Sequence, residues 1–323
     1  MRIVPHNEIE NLGITPEQCF DWVEDMLMHK PEVILPKKTS IVPQEDVFFN
    51  VMPTVYPNHN FAGVKVITRR LERKPALDSI ITLFDYETLL PVAILDGSWI
   101  TTMRTGAVAV HTISVLANQD FKEVGIMGLG NTGRAAIKIL CAKYRNKNFK
   151  LKVLKYKDQH LMLEKMIRGV SGTENMNVEV EFVESYDAVI RNSDVIISAV
   201  TFFQGNFCED NVFKEGCLVV PIHLRGFMNC DLSFDKVFGD DTEHVCKFKY
   251  FDRFQSFAEV SQVIRGEAKG RTDEKERIIA YNVGLSMHDI NYANRVYEFI
   301  ESNNITGQEF TLNPPTDKIW LGR

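Results

Sequence analysis

This 323-residue chain lacks what would mark several large functional classes. It has no excess of basic residues: 37 Lys and Arg against 43 Asp and Glu give a net charge of −6. That leaves no positive field for a nucleic-acid backbone. No segment approaches the ~18 uninterrupted apolar residues of a membrane helix. The opening Met1-Arg2-Ile3-Val4-Pro5-His6-Asn7-Glu8 lacks the apolar core of a signal peptide. The six cysteines (19, 141, 208, 217, 230 and 246) form no C-x-x-C pair, and no His/Cys cluster has zinc spacing. No metal site is expected, and the thiols read as free in a reducing cytoplasm. What remains is ordinary: 45% hydrophobic and 25% charged residues, in a chain long enough for two domains.

One motif rises above this background. Gly128-Leu129-Gly130-Asn131-Thr132-Gly133 follows Lys122-Glu123-Val124-Gly125-Ile126-Met127, which reads as a buried strand. It runs into Arg134-Ala135-Ala136-Ile137-Lys138-Ile139-Leu140-Cys141-Ala142, which reads as a helix. Strand, G-x-G-x-x-G and helix in that order are the context for dinucleotide binding. The first glycine makes the turn, the second admits the pyrophosphate, and the third lets helix and strand pack. The helix N-terminus offers N–H groups to the phosphates. A glycine-rich turn without ligand is the alternative.

The motif sits mid-chain, and the texture differs on its two sides. Thr15 to His29 is predicted as an amphipathic helix, with Thr15 as N-cap, Pro16 in the first turn and Phe20, Val23, Met26 and Leu27 on one face. Runs at 47–52, 62–67, 79–85 and 91–95 predict an antiparallel sheet, with Asp85-Tyr86-Glu87-Thr88 as a turn. The charged stretch 69–74 reads as a solvated loop. Residues 98–117 read as a helical crossover. Strands are then expected at 123–127, 150–156, 178–183, 194–199 and 217–222, with a helix from Gln159 to Arg168. This alternation implies a parallel doubly wound sheet. A long helix, Leu285 to Ser302, carries Met287, Ile290, Ala293, Val296 and Ile300 at helical spacing. The expected fold is α/β: a Rossmann-type domain at 116–284, an N-terminal α+β domain at 1–115, and a C-terminal helix and tail (285–323) returning to that first domain.

Two cations stand out in the first part. Lys65 lies inside an apolar strand, where it either snorkels to an edge or enters a cleft. Arg104 lies in the nearly charge-free Ile100-Thr101-Thr102-Met103-Arg104-Thr105-Gly106-Ala107, and its fork suits a carboxylate.

The chain resembles the ornithine cyclodeaminase/mu-crystallin family over most of its length. The resemblance is carried by Met52-Pro53, Gly63-Val64-Lys65, Leu83-Phe84-Asp85-Tyr86-Glu87-Thr88, Pro91 to Gly97, Thr101 to Ala107, the glycine loop and Gly284-Leu285-Ser286-Met287-His288-Asp289. It implies a homodimer whose first domain forms the dimer sheet and half the active site. It implies an enzyme using NADP or NAD on the C–N bond of a small amino or imino acid, by dehydrogenation, imine reduction or cyclodeamination. A non-catalytic, nucleotide-binding crystallin is a further possibility. By the resemblance, Lys65 and Arg104 hold the substrate α-carboxylate, and Lys38 falls where a third such cation stands. Thr105 and Val200 match residues beside the cofactor. The segment with Leu285 and Asp289 matches the piece that closes over the nicotinamide.

Three positions depart from the family pattern. Arg225 stands where cyclodeaminases carry an aspartate that handles protons on the side-chain amine; arginine stays protonated and suits an acidic group instead. His223 is a titratable residue beside it. Asn50 stands where a glutamate often faces a distal amine. Both changes disfavour a cationic diamine such as ornithine. After the second Rossmann strand, Lys155, Tyr156 and Lys157 stand where an aspartate would favour NAD, so NADP is favoured; Asp158 is the alternative ribose ligand.

Overall fold

The two textures become two sheets, in a computed structural model that describes residues 1–159, 161, 163–168, 178–200 and 203–312. The chain divides into two units: Met1–Gly13, Glu32–Ile100 and Asp289–Arg323 form the first, Ile14–Pro31 and Thr101–His288 the second.

In the first unit the strands are β1 (Arg2–Val4), β2 (Thr39–Gln44), β3 (Val47–Tyr56), β4 (Phe61–Arg69), β5 (Leu77–Asp85) and β6 (Pro91–Asp96). The sheet is seven-stranded, with the terminal strand Gln308–Glu309 on one edge, then β1, β6, β5, β4, β3 and β2. It is antiparallel, as expected, except where β1 joins β6 in parallel. β1 and β2 are additions to the expected strands: β1 has only three residues, too few to show a period in sequence, and β2 is exposed throughout and so has no alternating burial. The pleat sorts the side chains. Met52, Thr54, Lys65, Ile67, Ser79, Ile81, Leu83, Ala93 and Leu95 are all buried. Within this unit the C-terminal helix Ser286–Ser302 meets that face so closely that a Cβ on Gly63 would lie 2.9 Å from Ile290. The opposite face carries a cross-strand row of Val51, Val66 and Ile80, with Ile80 56% exposed. The 85–88 turn is closed by Asp85, whose carboxylate accepts from the Thr88 N–H and hydroxyl at 2.8 and 2.6 Å.

Four helices matter below: α1 (His6–Asn11) in the first unit, α2 (Pro16–Met28), α3 (Ser98–Leu116) and α4 (Asn131–Lys143). α2 begins as predicted, with Thr15 and Gln18 forming a reciprocal capping box and Pro16 at the first position. Its place differs from the linear division at residue 115. The apolar stripe of α2 needs a surface to cover, and it finds one in the second unit. Phe20 sits 5.3 Å from the His111 ring of α3, with the Lys143 ammonium of α4 3.8 Å above it.

The second unit holds β7 (Glu123–Met127), β8 (Phe149–Leu154), β9 (Val178–Val183), β10 (Val195–Ser198), β11 (Leu218–Pro221), β12 (Lys236–Gly239), β13 (Phe257–Glu259) and β14 (Ile278–Tyr281). They form one sheet in the order β9-β8-β7-β10-β11-β14-β12-β13, parallel at every pairing. The chain runs from β7 out through β8 to β9, then returns to β10 on the other side of β7. That reversal is the switch point at which such sheets bind ligands, outside the carboxyl ends of the strands. The strands expected at 150–156 and 194–199 end earlier, at Leu154 and Ser198. The helix expected from Gln159 is described as Leu163–Arg168; residues 160 and 162 lie outside the described set. The expected strands did not include β12, β13 and β14, each three or four residues long. Among the described residues no helix is long and apolar enough to cross a membrane.

His111 is 1% exposed on α3, and burial, with the Lys143 charge adding to it, pushes its pKa down to about 4. Glu24, 4.0 Å away and 56% exposed, offsets this little. The unfolded chain binds the proton near pH 6.5 and the folded chain only near 4, so lowering the pH between these values favours unfolding. Urea unfolding at pH 7 and pH 5 should therefore show a loss in His111→Gln that is smaller than the wild-type loss by about 1–2 kcal/mol, His223 keeping its own share.

Candidate active site

In the second unit the glycine loop has the geometry its sequence implies. Gly128 takes φ +88°, and a Cβ there would lie 2.6 Å from the Ala199 carbonyl and 3.0 Å from the Val200 nitrogen. Val200 is thereby brought to the loop, just past the end of β10. A Cβ on Gly133 would lie 2.0 Å from the Gly128 carbonyl, so only glycine lets α4 start this close to β7. Gly130 is the reverse case: nothing lies within 4 Å of where its Cβ would be. It is also the N-cap of α4, and no side chain caps the helix there. Open space in front of uncapped N–H groups fits a pyrophosphate. Asn131 and Thr132 form the first turn of α4 behind it.

α3 crosses this loop. A Cβ on Gly106 would lie 2.7 Å from the Ala136 nitrogen, so α3 and α4 touch backbone to backbone beside Arg104 and Thr105. This sets the Arg104-Thr105-Gly106 segment beside the glycine loop. The Thr105 hydroxyl donates to the Thr101 carbonyl at 2.6 Å, which orients its lone pairs away from the helix. Arg104 is 6% exposed, and its guanidinium would lie 3.0 Å from a Cβ on Gly284, a residue at φ +94°. The Gly284 N–H is in turn held by Asp240, immediately after β12, at 2.6 Å. Burial raises the Asp240 carboxyl, against the pull of that N–H and of Lys30. Lys30 anchors the same corner, donating to the Asp240 carbonyl at 2.8 Å and to Glu259 at 2.6 Å. Asp240 was missed in the sequence because Gly239-Asp240-Asp241 looks like a surface turn. Leu285 is 1% exposed and packs as core.

At the carboxyl ends of β10 and β11, Ser198 Oγ and His223 Nε2 are 2.6 Å apart. The ring also bonds the Arg225 backbone and stands 5.9 and 6.2 Å from the Phe207 and Phe227 rings. Burial pushes the His223 pKa down to about 4, so the ring is neutral at pH 7 and offers no charge to an anion. Ser198 carried no signal in the sequence. Arg225 itself is exposed. At the end of β8, Lys155 is the first residue outside the strand; its ammonium donates to Glu184 at 2.9 Å. Tyr156 is exposed and the Lys157 ammonium lies 5.0 Å from its ring centroid. Arg134 of α4, also not singled out beforehand, donates to the Gln159 carbonyl at 3.3 Å and ties the loop to this rim.

In the first unit Lys65 and Asp289 form an ion pair of 2.6 Å, both side chains fully buried. Lys65 therefore does not snorkel to an edge. Lys65 lies opposite Met52 in β3, and Thr39 opposite Val51, so Lys38 enters β2 at the level of Met52 and Lys65. Asn50, one step further along the same face, accepts from Ser40 Oγ at 2.6 Å. Among the described residues no group of His, Cys, Asp and Glu could hold a metal ion.

Fold and site together define a two-unit α/β protein built on a dinucleotide-type parallel sheet. The chain belongs to the ornithine cyclodeaminase/mu-crystallin family, whose model matches residues 3–304. It is 25% identical over 277 residues to nodulation efficiency protein NfeD of Rhizobium meliloti, covering 82% of this chain and 84% of that protein. It is 26% identical over 271 residues to N-((2S)-2-amino-2-carboxyethyl)-L-glutamate dehydrogenase of Staphylococcus aureus, covering 76% and 77%. The Thermococcus litoralis Delta(1)-pyrroline-2-carboxylate reductase, solved with NADH and L-proline, superposes with a TM-score of 0.81 at 22% identity, covering 96% of this chain and all of that one.

Two of the loop glycines predict separable effects. Gly133→Ala should cost ~1–3 kcal/mol of stability by overpacking. Gly130→Ala meets no neighbour and should leave the melting temperature of the free protein unchanged, yet abolish the rise in melting temperature on adding NADP or NAD. Thermal unfolding with and without nucleotide checks both.

Proposed function

We propose that this chain is an NAD(P)-dependent oxidoreductase acting on the C–N bond of an α-imino or α-amino acid, of the imine reductase or amino-acid dehydrogenase type. One observation carries the reading: the open glycine loop and the buried Arg104 belong to two helices that touch backbone to backbone. A cofactor cradle and a carboxylate fork are thereby built into one piece. The residues that would hold the nucleotide are Gly128, Gly130, Asn131, Thr132 and Gly133, with Thr105 and Val200 beside them. When bound, the nicotinamide exchanges hydride with the substrate α-carbon. The protein supplies the rest. Arg104 is the fork proposed for the α-carboxylate; Lys65 and Lys38 are further carboxylate cations by the family resemblance alone. Reduction of an imine also consumes one proton at nitrogen, and Lys65 is the proton source in this reading. The Lys65 side chain is held in place by its 2.6 Å pair with Asp289.

Asn50 and Arg225 argue for an uncharged or acidic substrate side chain over a distal amine. Arg225, exposed beyond the fixed His223 ring, is the partner proposed for a second acidic group. The relatives named above fit this: one is a dehydrogenase of an amino acid bearing further carboxylates, another a cyclic imine reductase. Lys155, Tyr156 and Lys157 support NADP over NAD. The free thiols support a reducing, cytoplasmic setting. The apolar face of Val51, Val66 and Ile80 supports a homodimer.

NADPH and NADH oxidation should be followed with Delta(1)-pyrroline-2-carboxylate, its six-membered homologue, and keto acids plus amines, including dicarboxylic ones. Oxidation of NADPH with one of these classes is the expected result. Ammonia release from ornithine or lysine without net NADPH change would instead mark a cyclodeaminase, and tight nucleotide binding with no turnover a binding protein. Arg104→Ala should lower kcat/KM by about 2–4 kcal/mol in free-energy terms; wild-type turnover would remove Arg104 from the site. Light scattering after size exclusion should give twice the monomer mass, and Ile80→Lys should reduce it to the monomer.

A further inference from the structure

The rim at the end of β8 holds a feature that the choice of nucleotide alone does not explain. Rossmann sheets place the adenosine ribose at the end of the second strand, here β8, next to the glycine-loop strand β7. Lys155 stands there, the first residue past the strand, and its backbone N–H continues the ladder to the Val183 carbonyl at 2.9 Å. That bond fixes where the side chain starts. The side chain then reaches sideways to Glu184, the first residue past the neighbouring strand β9, at 2.9 Å. Glu184 is 76% exposed and Lys155 40%, so the pair is open to solvent. An exposed pair of this kind is weak and readily exchanged.

A ribose 2′-phosphate carries close to two negative charges and three acceptor oxygens. It would compete with Glu184 for the Lys155 ammonium, and the Glu184 carboxylate would repel it. A 2′-hydroxyl, as in NAD, carries no charge and meets neither effect. We propose that Glu184 is a specificity-determining residue: it holds Lys155 as an exchangeable counter-ion and thereby limits the preference for NADP, so that the chain accepts both nucleotides. Lys157, on the same rim at φ +51°, and Arg134, tied to Gln159, are cations whose engagement does not require breaking the Lys155–Glu184 contact. The inference rests on the reading of the glycine loop as a dinucleotide cradle.

The test is calorimetric titration of the full-length protein with NADP+ and NAD+, and with adenosine 2′,5′-bisphosphate and 5′-AMP, which isolate the 2′-phosphate. The proteins are wild type, Glu184→Gln, Lys155→Gln and the double variant. Glu184→Gln should tighten NADP+ and the bisphosphate roughly three- to tenfold, the size of one solvent-screened charge contact, and shift NAD+ and 5′-AMP less than about twofold. The gain should shrink as salt is raised. Lys155→Gln should weaken NADP+, and the gain from Glu184→Gln should be smaller in that background. Equal effects on phosphorylated and unphosphorylated ligands, or no effect on either, overturn the role of Glu184. Failure of every protein, wild type included, to bind any of the four ligands overturns the cradle itself.

Discussion

Much of the second unit depends on a few places where backbone must approach backbone with no Cβ between. Gly106 lets α3 lie on α4, Gly133 lets α4 begin against the end of β7, and Gly128 lets the loop pass the Ala199 carbonyl. Each contact is closer than any side chain permits. Together they fix three segments that are distant in sequence: the helix carrying Arg104, the glycine loop, and the chain leaving β10. Gly130, in the same hexapeptide, has the opposite surroundings. The motif thus combines two tight positions with one open one, and only the open one faces what the loop is for.

Charge is handled differently in the two units. In the first, a fully buried lysine is matched by a fully buried aspartate. Such a pair is costly to desolvate and is poor evidence of stability by itself. Its presence in a mainly apolar sheet face points to a use for the charge. In the second, Arg104 lies against a glycine backbone that Asp240 holds from behind. The carboxylate thus fixes the backbone against which the guanidinium rests. His223 completes the contrast: burial leaves it neutral, and its two hydrogen bonds fix a loop where it adds no charge.

Much of this was legible in the sequence wherever chemistry broke a local pattern. A lysine in Gly63-Val64-Lys65-Val66-Ile67 and an arginine in a charge-free helix are anomalies, and both proved to be buried. The glycine loop was legible because its spacing reports a backbone requirement. Asp240 and Ser198 were not, because an aspartate after a glycine and a serine at a strand end are ordinary residues whose importance comes only from what tertiary structure places opposite them. The short strands β12 to β14 were illegible for a related reason. The pairing of a strand of three or four residues is set by neighbours far away in sequence. The assignment of α2 to the second unit followed the same rule: the amphipathic stripe was evident, while the surface it covers was not.

The Lys65–Asp289 pair also bears on how the chain reaches its native state. Its partners are 224 residues apart, and the whole second unit, apart from Ile14–Pro31, lies between them. As the chain leaves the ribosome, strands β1 to β6 emerge first, with Lys65 on the face destined for burial. The helix carrying Asp289 comes only after nearly all of the second unit. Until then that face lacks both its counter-charge and the helix that covers it. The parallel sheet, complete once Tyr281 has emerged, can form before it. The buried pair therefore ties completion of the first unit to the last part of the chain to be made.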